Sequence, residues 1–176
     1  MSEQQQPLVN RVAASGLITI KLEEFYPQTA VVAFDLKDYL FKELILKEKD
    51  FRAALKSHDW AQYEGKVLAV YCSNKAIIPM WAYMLVSAYA SSNALDVYQG
   101  TPEAYYSYYF TIKINSLDIE SYKDQRIILK GCGDVPIPAS AYLEFTKRLR
   151  PIAKSIMYGE PCSTVPIYKK PKVRKV

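Results

Sequence analysis

Residues 66–99 read KVLAVYCSNKAIIPMWAYMLVSAYASSNALDVYQ, and this stretch decides the fold. Val67-Leu68-Ala69-Val70-Tyr71 is an unbroken apolar run of strand length, the pattern of a strand covered on both faces. Pro79 opens a helix running to about Ala90, at the position where its missing N–H is harmless. Leu95-Asp96-Val97-Tyr98 is a second, short strand, ended by Gly100. Strand, helix and strand at this spacing make a crossover unit with parallel strands and a right-handed connection.

The pattern continues toward the C-terminus. Pro102 to about Phe110 is expected to be helical. Arg126–Lys130 is a strand, Pro138–Leu149 a helix and Ser155–Tyr158 a last strand. Toward the N-terminus, Asp50–Ser57 carries Phe51, Ala54 and Leu55 on one helical face. Leu36–Leu46 is too densely apolar to show a period. Leu17–Leu22 alternates as a strand, Pro27 closes a turn and Val31–Phe34 is another strand. These two are expected to pair as a hairpin, preceded by a short helix over Pro7–Ser15 that Gly16 ends.

The expected fold is therefore α/β in a single domain over residues 7–168. Residues 1–6 form a disordered N-terminus and 169–176 a basic tail. A mainly parallel sheet of about four strands is flanked by helices, with the N-terminal hairpin and helix as an extension. Numbering the parallel strands 1 to 4 from Val67, we expect the spatial order 2-1-3-4.

Composition supports a globular chain. Half of the 176 residues are hydrophobic and 23% are charged, enough for one packed core. The net charge of +5 comes from the last eight residues, which hold Lys169, Lys170, Lys172, Arg174 and Lys175; without them 18 basic residues balance 18 acidic ones. Such a tail reads as a solvated terminus, and nucleic acid is not expected as a partner. MSEQQQ has no basic region followed by an apolar run, and Ile77–Ala90 is too short to span a bilayer. A cytoplasmic location is expected, with no membrane partner, so the three cysteines should be reduced.

Two segments resemble each other. Asp59, Tyr63, an apolar strand, Cys72, Pro79 and Ala82-Tyr83 are matched by Asp118, Tyr122, an apolar strand, Cys132, Pro138 and Ala141-Tyr142. In both, a cysteine follows a strand. Cys162 follows the last one. Ligands of open parallel sheets bind beyond the carboxyl ends of the strands. With the order 2-1-3-4, Cys72, Cys132 and Cys162 would lie on neighbouring strands about 4.8 Å apart.

Three such thiolates suit zinc or an Fe–S cluster. Asp134 or Glu160 is the expected fourth ligand, with His58 or water as further candidates. No CxxC spacing supports either metal. The bland reading is thiols filling gaps at strand ends. A thiol redox protein is a third reading, since Cys132 lies between Gly131 and Gly133 ahead of a helix. His58, the one histidine, precedes the first cysteine strand and reads as structural or as a surface residue, which leaves a cysteine nucleophile without a base. No GxGxxG, Walker A or HExxH pattern occurs.

The helix from Pro79 to Ala90 is apolar nearly all round, with Met80, Trp81, Tyr83, Met84, Leu85, Val86 and Tyr89. That composition suits a central helix or a subunit interface, and a homodimer through it is expected. A non-catalytic dimeric interaction module is therefore the alternative to a metal site.

Particular stretches also resemble a known family. They are Ile127–Asp134, Ala153–Pro166, Phe34-Asp35-Leu36-Lys37-Asp38 and His58-Asp59-Trp60. They are similar to a family of bacterial proteins catalogued as a domain of unknown function, over about Leu8 to Lys170. The resemblance implies a bacterial, cytoplasmic protein and assigns no activity, substrate or catalytic residue.

Overall fold

The computed structural model describes residues 16–171 apart from Cys132 and Asp134. The helix expected over Pro7–Ser15 lies outside the described residues, as do the ends of the chain. The protein is α/β with mainly parallel strands, as expected. Among the described residues no helix is long and apolar enough to cross a membrane.

The chain divides into two compact units. One is contiguous, Pro27–Tyr109; the other is split, joining the residues up to Tyr26 to those from Phe110 onward. The contiguous unit contains β2 (Val31–Asp35), α1 (Glu48–Ser57), β3 (Val67–Tyr71), α2 (Met80–Ala90) and β4 (Asp96–Gln99). Its sheet has the order β2-β3-β4, all parallel. The split unit contains β1 (Leu17–Lys21), β5 (Arg126–Lys130), α4 (Ala139–Leu149), β6 (Ser155–Glu160) and β7 (Ser163–Lys169). Its sheet has the order β1-β5-β6-β7, parallel except for the last pair. Helix α3 (Pro102–Asn115) begins in the first unit and ends in the second.

Two expectations need correction. The expected order 2-1-3-4 is met in its pairs 2-1 and 3-4, which are β4 with β3 and β6 with β5. The 1-3 junction does not form, because those positions are taken by the two N-terminal strands, β2 beside β3 and β1 beside β5. For the same reason β1 and β2 are not a hairpin. Each ends in a turn of 3-10 helix, Leu22–Phe25 or Leu36–Tyr39, and each opens its own parallel sheet. Strand β7, which carries Pro166, was not among the expected strands. It lies on an edge, where a proline is tolerated.

The two units are copies of one plan. Strand β3 and helix α2 recur as β5 and α4 at a spacing of 59 residues (126 less 67, 139 less 80). Strand β1 and its 3-10 turn recur as β2 and its turn at a spacing of 14 (31 less 17, 36 less 22). The buried cores correspond at these spacings. Phe34, Leu36, Phe51, Leu55, Leu68, Val70, Ala82, Val86 and Ala90 match Ile20, Leu22, Phe110, Ile114, Ile127, Leu129, Ala141, Phe145 and Leu149.

Local devices repeat too. The carboxylate of Asp59 accepts from the Ala61 amide at 3.1 Å, and that of Asp118 from the Glu120 amide at 3.2 Å. These Asx turns start the 3-10 turns Ala61–Tyr63 and Glu120–Tyr122, which lead into the central strands. Left-handed backbone follows in both copies, with φ of 68° at Gly65 and 55° at Asp124.

Candidate functional site

In each unit a groove lies between the second crossover helix and the sheet. The groove of the split unit holds about 480 Å³ and that of the contiguous unit about 510 Å³. Their walls correspond at the spacing of 59. Leu129, Tyr142, Leu143, Thr146, Lys147 and Tyr158 occupy the places of Val70, Tyr83, Met84, Ser87, Ala88 and Gln99. Duplication of the fold has thus duplicated a cleft. One helix face and the strands beneath it build it each time, β3 and β4 under α2, and β5, β6 and β7 under α4.

The tyrosine of each groove is tied to the sheet differently. Tyr142 donates its hydroxyl to the Gly131 carbonyl at 3.1 Å. Its ring lies so close that a Cβ on Gly131 would come within 1.9 Å of the hydroxyl oxygen. Tyr83 instead takes a hydrogen bond from the Gln99 side chain. Burial pushes the Tyr83 hydroxyl above its usual value of 10.0, the charge of Cys72 nearby adds to this, and the Gln99 bond opposes it.

Cys72 follows β3 directly and is a free, half-buried thiol. Beside it, the Asp35 carboxylate at the end of β2 accepts from the amides of Lys37 at 2.9 Å and Ser73 at 3.0 Å. Burial pushes the Asp35 carboxyl up, but hydrogen bonds from the Ser73 side chain and from both amides outweigh it. Together with the Lys37 charge they hold it below the usual 3.8. The edge of this sheet is therefore pinned by an ionised aspartate.

The other residues singled out in the sequence fall as follows. Cys162 is free and exposed in the two-residue turn between β6 and β7, in the split unit, whereas Cys72 belongs to the contiguous one. Cys132 and Asp134 lie outside the described residues. At the spacing of 59, Cys72 corresponds to Gly131 and Cys132 to Ser73, so the two cysteines do not occupy equivalent positions. Glu160 is ion-paired with Lys130 at 2.7 Å. Among the described residues no three of His, Cys, Asp or Glu gather as a metal would require.

His58 is built into an aromatic cluster. Its Nε2 lies 2.9 Å from the Tyr63 hydroxyl and its Nδ1 3.5 Å from that of Tyr39. Its ring stacks on Tyr63 and meets Phe34 and Trp60 edge-on. Trp60 donates its indole N–H to the Leu55 carbonyl at 2.8 Å. The residue corresponding to His58 in the split unit is Leu117, a core-packing residue, which fits a structural histidine.

Sequence reasoning singled out the cysteines and missed the grooves. The signal was present in the paired Ala82-Tyr83 and Ala141-Tyr142, since alanine faces the core and the following tyrosine heads the cleft. Among curated proteins and solved structures nothing matches the chain. The chain belongs to the family described as a protein of unknown function (DUF2480), which matches residues 6–170.

Proposed function

We propose that the protein is a non-catalytic interaction module that works as a homodimer, with α2 at the contact. The observation that carries this reading is the difference between two helices in equivalent places. Helix α4 is amphipathic and charged, with Glu144, Lys147, Arg148 and, just beyond it, Arg150. The corresponding residues of α2 and its end are Leu85, Ala88, Tyr89 and Ser91, and α2 contains no charged residue.

Its outward side shows Met80 and Met84, 70% and 71% exposed, with Ile77 just ahead of the helix at 91%; Leu143, in the place of Met84 on α4, is equally exposed, so the difference lies in the charges around it. A contiguous apolar stripe of this kind marks a contact surface, and methionine is enriched at such surfaces. Helices α1, α3 and α4 all carry charges, so the uncharged partner that suits α2 is α2 of a second copy.

Sedimentation velocity over about 1–100 µM protein tests the reading, a range that covers ordinary dimer affinities. A dimer that Met84→Glu dissociates is expected. A monomer throughout that range would refute it.

A metal centre on Cys72, Cys132 and Cys162, with Asp134 or Glu160, is the second reading. It draws support from Cys72, a free thiol directly beyond the carboxyl end of a parallel strand. Elemental analysis of untagged protein purified without chelator decides it. About one zinc or iron per chain, lost in the three Cys→Ser variants, is the expected result, and unchanged metal content would reject it.

A further inference from the structure

We propose that two copies join edge to edge through β4, antiparallel about a twofold axis, so that β2-β3-β4 becomes one six-stranded sheet with the two α2 helices side by side across the axis. The inference rests on the homodimer reading and names its surface and geometry.

The two units supply the argument by comparison. In the split unit the outer edge of β6 is covered by β7, which runs antiparallel to it, and Ile167 of β7 walls the groove. In the contiguous unit the corresponding strand, β4, pairs only with β3 among the described residues. Its end residues Asp96 and Gln99 are exposed. The Gly100 amide donates inward to the Val70 carbonyl at 2.9 Å. Amides alternate along a strand, so those of Val97 and Gln99 face outward, the Val97 amide onto the Asp96 carboxylate at 2.8 Å. The plan of this fold thus includes an antiparallel strand at an edge that β4 leaves bare.

Edges left to solvent are normally blunted by proline, lysine or a bulge. Strand β7 has Pro166 and Lys169, and a register shift at its junction with β6. Strand β4, Asp-Val-Tyr-Gln, has neither proline nor lysine.

A second copy fits this edge in three respects. Antiparallel pairing about a twofold needs a single strand that complements itself. With the axis beside Tyr98, Val97 lies opposite the partner's Gln99 and Asp96 opposite the partner's Gly100, so no like charges oppose each other. The helix spacing also closes. A crossover helix sits over the gap between its two strands, half a strand spacing inside β4, and the axis lies half a spacing outside it. Two helices related by that axis are therefore about 10 Å apart, the distance at which helices pack. The flank of α2 that would meet its mate is lined by Met84, Ser87, Ala88 and Ser91, small or flexible and uncharged, beside Leu95 and Val97 of the strand.

The test is residue-resolved amide exchange by NMR on the full chain, with sedimentation of the wild type and of Gln99→Pro and Met84→Glu. Proline is tolerated in an edge strand where the N–H faces solvent, so at position 99 it removes an outward donor, and circular dichroism checks that the variant folds. The expected result is slow exchange at Val97 and Gln99 in the dimer, lost on dilution to monomer. Both variants are expected to weaken dimerisation, Met84→Glu by about a hundredfold or more, because a carboxylate would be buried without a partner. A dimer whose Val97 and Gln99 amides exchange freely, and which Gln99→Pro leaves intact, overturns the edge pairing and spares the homodimer. A chain that is monomeric throughout overturns both, and assigns the edge to a different occupant.

Discussion

Replacing Gly131 with alanine tests whether the head of the split-unit groove is as tight as the structure has it. The added Cβ would lie 1.9 Å from the Tyr142 hydroxyl oxygen and 2.9 Å from the ring carbon that bears it. Gly131 has no left-handed backbone, so the cost is steric and not conformational. Either the ring swings away or the strand end moves. Overpacking of this kind costs about 1–3 kcal/mol. Moving the ring also breaks the Tyr142 bond to the Gly131 carbonyl, worth about 0.5–1.5 kcal/mol. The sum is roughly 2–4 kcal/mol, which for a chain of this length lowers the melting temperature by about 4–15 °C. Thermal and urea unfolding followed by circular dichroism measure it. Adding Tyr142→Phe removes the nearer contact and leaves the nearly touching ring carbon, so part of the loss should return. The corresponding change in the other copy, Cys72→Ala, deletes only a sulfur and should cost no more than about 1 kcal/mol. A Gly131→Ala protein within about 0.5 kcal/mol of wild type, inside the ordinary range of surface substitutions, would refute the reasoning.

Other consequences can be measured in the same way. Asp35→Asn should destabilise the protein at pH 7 by about 1–2 kcal/mol, because a charged acceptor of two amides becomes a neutral one. The folded carboxyl titrates below its unfolded value, so its stabilisation is present above about pH 4 and is lost as pH falls through the folded pKa. The gap between variant and wild type should therefore close on acidification, and a gap that widens below pH 4 would contradict the assignment. Phe51→Ala and Phe110→Ala empty corresponding, fully buried positions of the two cores, so each should cost about 3–5 kcal/mol in urea unfolding. A large loss in one with little in the other would show that the cores are not equivalent. Gly159→Ala places a side chain at φ of 116° with its Cβ 2.6 Å from the Ser163 carbonyl oxygen. It should cost at least about 1–3 kcal/mol, measured by the same unfolding.

Much of the fold was legible because its signals are short-range. The apolar runs at Val67–Tyr71 and Arg126–Lys130, the prolines opening α2 and α4, and the aspartates that start the 3-10 turns act within a few residues of themselves. They fixed the element types and the parallel pairs β3-β4 and β5-β6. The repeat was visible in part, through Asp, Tyr, Pro and Ala-Tyr. Those pairs are all 59 apart, but pairing Cys72 with Cys132, 60 apart, hid that Cys72 stands where the other copy has glycine. The charge-free character of α2 was also plain from its residues.

The sequence alone determined the α/β class, most of the helices and strands, and the unusual helix on which the proposed contact rests. Tertiary structure alone decided which strands share a sheet. Strand β1 could have turned back on β2, its near neighbour in sequence, yet Leu17 pairs with Arg126 and Val31 with Val67. Nothing local distinguishes these choices, since each strand is an apolar run that satisfies its backbone equally well against several partners. The choice is made by the cores. Ile20 and Leu22 pack with Phe110 and Phe145, and Phe34 and Leu36 with Phe51 and Val86, and burying these two sets requires two sheets.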